Sequence, residues 1–370
     1  MKILLLGEYS SVHWTLAEGL RCLGHKVTVL SNGDFWKNYP RDISLLRQNR
    51  PFDGVCYYLK LLSLLPRLRG YDVVQIINPM FLELKAERMF AIYRYLRKHN
   101  KCMVLGAFGM DYYWVKTCDS IHSPFKYSDF NLGHQLRHNA DAEKERKDWL
   151  GTPKEQLNKM IATDCDAIVA GLYEYWRCYK PIYTNKTTFI AYPIQMDLFP
   201  PRKQFYEVEK PLKLFIGLSR ERSEYKGTNI MLKAAKDLQK RFPERLELIV
   251  AEGLPYAEYC KLREGADAIA DQLYSYTPAM NALQAMSRGI ICIGGGEEEN
   301  YQILGETELR PIINVEPTYE SVFNEIKKLV CNPHRIAPLQ HQSIEYILKH
   351  HEYVSVAKQY ESLYKGLLKQ

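Results

Sequence analysis

The residues of this chain whose types and spacing suit chemistry are Arg220, Arg222 and Lys226, within LFIGLSRERSEYKG at 214–227. An apolar strand pattern reaches Gly217, passes into a charged loop, and resumes after Gly227 as a helical pattern that Thr228 can cap. Two or three cations, with free N–H groups at a helix start, then gather at the mouth of a strand–loop–helix unit. Phosphate is the ligand such a mouth suits. Arg220 can grip phosphate oxygens in two-pronged fashion, while Lys226 acts as a compact charge. If that phosphate belongs to a departing diphosphate, cations fixed there favour the transition state over the ground state. The same loop also reads as a solvated stretch of mixed charge, with Glu221 and Glu224 offsetting the arginines.

A second pattern lies about fifty residues downstream, YTPAMNALQAMSRG from Tyr276 to Gly289, followed by the strand IICIGG. The Arg and Lys-Gly spacing together with this stretch resembles the nucleotide-sugar-binding domain of GT-B glycosyltransferases, especially the retaining glycogen-synthase-like group. In that family an E-x-F-G-x-x-x-x-E-A-M-A-x-G stretch opens a helix, its backbone amides meet phosphate, and its last Glu binds the ribose. The resemblance places Tyr276 at the first Glu, Thr277 and Pro278 in the loop, Ala279 and Met280 at the helix start, and Gln284 at the ribose position. Both acidic positions are changed. Gln284 keeps one carbonyl acceptor, so one ribose contact is expected in place of an anionic grip. The helix also reads as core, with Met280, Leu283 and Met286 buried. Beyond it, GGGEEEN at 294–300 offers Glu299 to a donor sugar, or is an ordinary acidic helix start.

On the other half of the chain, the strand KILLLG ends at Gly7 and runs through Glu8, Tyr9, Ser10 and Ser11 into the helix of His13. Ligands of wound sheets gather at such strand ends, so Gly7, Glu8, Tyr9, Ser10 and His13 are the candidate acceptor-binding residues. In GAFGMDYYW, where retaining relatives place a histidine, this chain has Phe108, which can neither transfer a proton nor bond a sugar hydroxyl. Asp111 is the remaining candidate, orienting an acceptor hydroxyl or acting as base, or else capping the next helix. The polar stretch 117–152, with His122, His134 and His138, reads equally as an acceptor-binding insertion and as a surface excursion.

The elements that must position these groups fall into two series. Strands are expected near 2–6, 26–30, 72–77, 101–105, 166–169 and 187–191, then near 213–218, 246–250, 267–270, 290–294 and 311–314, with helical patterns between them. The fold class is α/β, two doubly wound Rossmann-like domains with a cleft between them. The proline-bearing stretch 193–211 joins them. Residues 1–198 form the acceptor-side domain and 199–341 the donor-binding domain. By resemblance, a C-terminal piece at 342–370 crosses back to the first domain.

Nine scattered cysteines without zinc-like spacing imply reduced thiols. Met1 leads directly into KILLLG, so no secretion signal is expected, and the apolar run 55–65 is short for a membrane span. A cytoplasmic location follows as the expectation, at the inner face of a membrane if basic residues 41–69 contact anionic lipid instead of only covering the core. The resemblance implies transfer of a sugar from a nucleotide-sugar donor to a hydroxyl of a saccharide or lipid-linked saccharide. Retention, no metal cofactor, no nucleic-acid partner and a role in bacterial surface polysaccharide belong to the same expectation. Inversion with Asp111 as base, a nucleotide-sugar epimerase, and a catalytically silent binding subunit are the alternatives.

Overall fold

The computed structural model describes residues 1–48, 51–218 and 223–369. Its first sheet contains β1 (Lys2–Leu6), β2 (Lys26–Ser31), β3 (Ile43–Ser44), β4 (Val73–Ile76) and β5 (Cys102–Ala107). A two-stranded hairpin of β6 (Asn131–Leu132) and β7 (Gln135–Leu136) precedes its last strands, β8 (Ala167–Ala170) and β9 (Thr187–Phe189). The second sheet contains β10 (Leu212–Leu218), β11 (Leu246–Glu252), β12 (Ala268–Ala270) and β13 (Ile291–Ile293). The orders are β3-β2-β1-β4-β5-β8-β9 and β11-β10-β12-β13, and every pairing within them is parallel. Parallel strands covered on both faces need continuous apolar runs, and Ile3–Leu6, Val104–Ala107 and Ala167–Ala170 are wholly buried.

In each sheet the order reverses beside the first strand of its series, between β1 and β4 and between β10 and β12. Connections leave these neighbours in opposite directions, opening a crevice at their C-terminal ends. The strand expected at 311–314 is reduced to one parallel bridge, Ile293 with Ile313.

On one face of the second sheet, helices Thr228–Arg241 and Tyr319–Cys331 bury Met231, Leu238, Val322 and Ile326. Its other face, through Phe215, Ile269, Leu283 and Met286, is continuous with the core of the first sheet. The helix Ile336–His350 remains with the second sheet, where the Tyr346 hydroxyl accepts a 3.0 Å bond from Asn300 Nδ2. The chain returns at His351–Glu352, later than the expected 342, and the helix Tyr353–Leu367 then packs on Val12–Cys22. Gly19 allows that crossing: a Cβ there would stand 2.5 Å from the Tyr353 carbonyl oxygen. Glycine inside a helix costs roughly 1 kcal/mol relative to alanine, a cost the close packing offsets.

Candidate functional site

The crevice of the second sheet gathers the two segments singled out for donor phosphate. Arg220 and Arg222 lie outside the described residues. Lys226 ends the short helix Ser223–Lys226; it is half-buried, and its ammonium forms no ion pair or hydrogen bond among the described residues. Its carbonyl accepts a 3.0 Å bond from Leu273 N–H, just beyond β12. Gly227 has φ 71°, and a Cβ there would stand 2.6 Å from that of Leu273. Any side chain would therefore separate the two loops that this contact joins. Gly217, at the end of β10, is approached by Tyr259, whose hydroxyl would stand 2.6 Å from a Cβ.

The loop 275–280 departs from an open phosphate cradle. Glu174, from the first-domain helix Tyr173–Tyr179, inserts its carboxylate into it. Oε1 accepts from the backbone N–H groups of Tyr276 at 2.7 Å and Thr277 at 3.0 Å, and from the Ser275 hydroxyl at 3.0 Å. Oε2 accepts from the Thr277 hydroxyl at 2.5 Å. Burial holds this carboxyl above its ordinary pKa, against the lowering by its bonds to Thr277, Tyr276 and Ser275. Four converging donors make this loop an anion site, and it holds an anion supplied by the chain itself.

Tyr276, at the first acidic position of the family motif, is sealed against the first domain. Its ring stacks on Tyr173 and meets Phe125 and Tyr127, and its hydroxyl accepts from Lys126 N–H at 2.6 Å. Pro278 and Met280 are buried and Ala279 half-buried, at the start of the helix Met280–Ser287. Gln284 is buried, and its Oε1 lies 3.4 Å from Arg263 Nη1. Arg263 has no exposed surface; it donates to Asn281 Oδ1 at 2.6 Å, and its Nε has no partner among the described residues. In this arrangement Gln284 faces a buried guanidinium rather than an open ribose site.

Among the acids of GGGEEEN, Glu297 is the most engaged. It accepts from the Tyr127 hydroxyl at 2.5 Å, from Asn314 at 2.9 Å and from the Lys126 ammonium at 2.9 Å. Burial raises its pKa, but these bonds outweigh it and hold the group below the ordinary carboxylate range. Glu299 is half-buried beside this cluster, and its charge acts on Tyr173, Tyr276 and Lys126.

The stretch 117–152 is thus an interdomain strap. Besides Lys126 and Tyr127, Arg137 donates to the Glu224 carbonyl at 2.7 Å and lies 3.5 Å above the Tyr274 ring, and the Tyr225 hydroxyl donates to Asp129 at 2.7 Å. A separate bridge runs from the Tyr39 hydroxyl to that of Tyr256, at 2.8 Å. These contacts hold the two sheets together around the loops at 226–227 and 275–280.

In the first sheet, Gly7, Glu8 and Tyr9 line a cavity of about 710 Å³ with Asn32, Tyr57 and Ile77. It lies outside the ends of β1, β2 and β4, at the reversal of strand order, where a wound sheet holds its ligand. Glu8 is also the anchor of the helix Val12–Cys22, accepting from His13 N–H at 3.2 Å and Trp14 N–H at 2.8 Å. Burial nevertheless pushes it up to about 8, against the helix N–H bonds. Ser10 is tied to the loop below, its N–H donating to Asp34 at 2.8 Å and its hydroxyl accepting from Lys37 at 3.0 Å.

Two expected acceptor-side residues are structural. His13 has no exposed surface: Nδ1 donates to the Gly7 carbonyl at 2.9 Å and Nε2 accepts from Gln75 at 3.2 Å, while Gln75 Oε1 accepts from Tyr364 at 2.8 Å. Burial lowers its pKa to about 3, so the ring is neutral and the hydrogen-bond chain ties the β1 loop to the C-terminal helix. Asp111 is likewise buried. Oδ1 caps the helix Tyr112–Cys118 through Trp114 N–H at 2.9 Å, and Oδ2 accepts from the Tyr179 hydroxyl at 2.6 Å. Burial raises its pKa to about 6. A base needs an accessible oxygen, and in this geometry neither Asp111 oxygen is open. Phe108 packs between His13 and Tyr192.

Sequence reasoning missed Glu174, Glu297 and Arg263. Glu174 carried a signal, a lone carboxylate among Leu172, Tyr173, Tyr175 and Trp176, where a solvated acid is out of place. Nothing local marks Arg263, whose helix contains other charges on exposed turns. Among the described residues, no group of three His, Cys, Asp or Glu side chains is placed to hold a metal ion.

No protein-family model matches the chain, and no curated protein sequence does. Solved structures match over its whole length. Sucrose-phosphate synthase from Thermosynechococcus elongatus aligns over 100% of both chains with a TM-score of 0.63 and 14% identity. Anabaena HepE in complex with UDP-glucose aligns over 98% of this chain and 99% of its own, with a TM-score of 0.60 and 12% identity. A UDP-GlcNAc 2-epimerase from Neisseria meningitidis aligns over 100% of both chains, with a TM-score of 0.53 and 12% identity. At such identities the likeness is one of fold. With two wound parallel sheets, a strand-order reversal in each, and a terminal helix returning to the first, the chain has the GT-B fold.

Proposed function

We propose that this protein is a glycosyltransferase that moves a sugar from a nucleotide-sugar donor to a saccharide hydroxyl. The observation that carries the reading is the junction of the Lys226 backbone with Leu273, which joins the segment of a cation without a partner among the described residues to the anion-binding loop 275–280 at the strand-order reversal. The fold neighbours include proteins solved with UDP-glucose and UDP-GlcNAc, which favours a nucleotide-sugar donor here. In this reading Lys226 offsets charge on the departing diphosphate, Arg220, which lies outside the described residues, is proposed to share that role, and Glu299 stands on the sugar side. The cavity of Gly7, Glu8 and Tyr9 receives the acceptor, and closure of the two domains excludes water. Retention, cation-assisted departure without a metal, and a place in surface-polysaccharide synthesis complete the proposal. Incubation with UDP-, GDP- and ADP-hexoses plus saccharide acceptors tests it, with product configuration read by NMR. Transfer from one donor, lost in Lys226→Ala, is expected; no transfer from any donor counts against it.

Glu174 favours a second reading. A carboxylate already seated on the loop amides, with Tyr276 and Gln284 at the acidic positions, suits a binding subunit that turns nothing over. Nucleotide binding without donor consumption is its signature. Conversion of donor alone into an isomer would instead point to an epimerase.

A further inference from the structure

The helix Asp53–Leu64 presents two apolar faces, and only one is covered. Tyr57, Leu61 and Leu64 turn inward and are buried. Phe52, Val55, Leu59 and Leu62 are 83%, 57%, 59% and 39% exposed. Their spacing of three, four and three places them on one stripe, nearly opposite the buried residues. Phe52 is held at φ 62° with its ring in solvent, a conformation that bulky residues rarely adopt. Solvation alone gives no reason for such a stripe.

Its flanks are basic. Arg88 lies 5.0 Å over the Tyr58 ring on one side, and Lys60 donates to the Ser44 carbonyl on the other. The exposed Arg67 follows directly after the helix. Residues 41–69 contain six Arg or Lys, with Arg50 outside the described residues, against Asp42 and Asp53 alone. Asp53 faces Arg47 at 3.8 Å. An apolar stripe bordered by long cationic side chains matches the boundary between acyl chains and anionic headgroups, where leucyl groups enter and Lys and Arg remain at headgroup level. No described helix is long and apolar enough to cross a membrane, so the contact is peripheral.

We propose that this helix docks the protein on an anionic lipid surface through Phe52, Val55, Leu59 and Leu62. Tyr57, on the opposite face, lines the first-sheet cavity, so docking sets that cavity beside the bilayer, where the sugar of a lipid-linked acceptor would stand. This consequence rests on the acceptor reading of the cavity, whereas the docking itself does not.

Co-sedimentation with phosphatidylcholine vesicles, with and without phosphatidylglycerol, tests the docking separately from any transfer activity. The full-length protein is expected to pellet with the anionic vesicles at about 0.1 M salt and less at about 1 M, where the screening length falls from ~10 to ~3 Å. Val55→Gln/Leu59→Gln/Leu62→Gln should retain the wild-type Tm and lower the bound fraction about tenfold. Lys60→Glu/Arg67→Glu should weaken binding without touching the stripe, a check that holds even if the triple variant folds poorly. The proposal is overturned if wild type stays in the supernatant or if both variants pellet as wild type does. It is also overturned if wild type sediments as a dimer that the triple variant dissociates, since the stripe then belongs to a second copy of the chain.

Discussion

Replacing Glu174 with alanine isolates the contact between the two domains at the loop 275–280. The carboxylate is 4% exposed and receives four bonds. Its removal leaves the amides of Tyr276 and Thr277 and the Thr277 hydroxyl without their acceptor, whereas Ser275 keeps the Thr277 carbonyl at 2.6 Å. Each orphaned buried donor costs ~1–3 kcal/mol, and water entering the vacated space offsets part, so the net loss is on the order of 4 kcal/mol. With ~2 cal/mol/K of unfolding entropy per residue over a chain of this length, that is a fall in Tm of roughly 5 °C. Glu174→Gln keeps one acceptor oxygen and should lose about half as much. The freed amides are also available to a diphosphate, so UDP should raise the Tm of Glu174→Ala by more than that of wild type. Differential scanning calorimetry with and without UDP reads both effects. A loss below about 1 °C would refute the energetic argument, and equal UDP shifts in variant and wild type would refute the shared use of the amides.

Other perturbations separate the remaining roles. Asp111→Asn preserves the cap on Tyr112–Cys118 but gives up the acceptor of the Tyr179 hydroxyl, so it should cost ~1–3 kcal/mol of stability and leave turnover near wild type. A fall in kcat of about a hundredfold or more would restore Asp111 as a base. Gly19→Leu drives a side chain into Tyr353 and Ala357 and should cost ~1–3 kcal/mol by chemical denaturation; a neutral result would mean the terminal helix is not held there. Glu8 sets a pH dependence. Its folded pKa, raised to about 8, means the folded state keeps a proton that the unfolded chain releases above the ordinary 4.5. Stability from this group is therefore greatest at low pH and falls by a few kcal/mol as pH rises from about 4.5 to about 8. Glu8→Gln should flatten that fall in a Tm series from about pH 5 to about 8; an unchanged slope removes the assignment.

The fold was legible because parallel, doubly covered strands leave an unambiguous trace: KILLL, CMVLGA and LKLFIGL are apolar runs bounded by turn residues. The strand expected at 311–314 is only one bridge, because a run that small differs little from an extended loop. Gly7, Glu8 and Tyr9 follow from a rule of topology, that strand ends at a reversal of order border a crevice, and they line a cavity there. His13 was placed on the same rule and Asp111 by the resemblance around Phe108, but each sits where the chain has turned back into the core and polar groups must satisfy one another. Glu174, Lys126 and Glu297 could not be paired from sequence, because their partners lie 101 to 171 residues away and are set by how the two domains meet. The exposed stripe of Asp53–Leu64 was ambiguous for a related reason. A helix apolar on two faces has the composition of a core helix, and only its placement shows which face is covered.

The most direct test of the central claim is the thermal stability of wild type and Lys226→Ala with UDP, GDP, ADP and CMP, each in magnesium and in EDTA. A ligand at about 100 times its Kd adds roughly 2.7 kcal/mol to the folded state, an easily read shift. The account predicts stabilisation by one nucleoside diphosphate, retained in EDTA and lost in Lys226→Ala. No shift with any nucleotide, or a shift that Lys226→Ala leaves intact, would contradict a donor site at the Lys226–Leu273 junction.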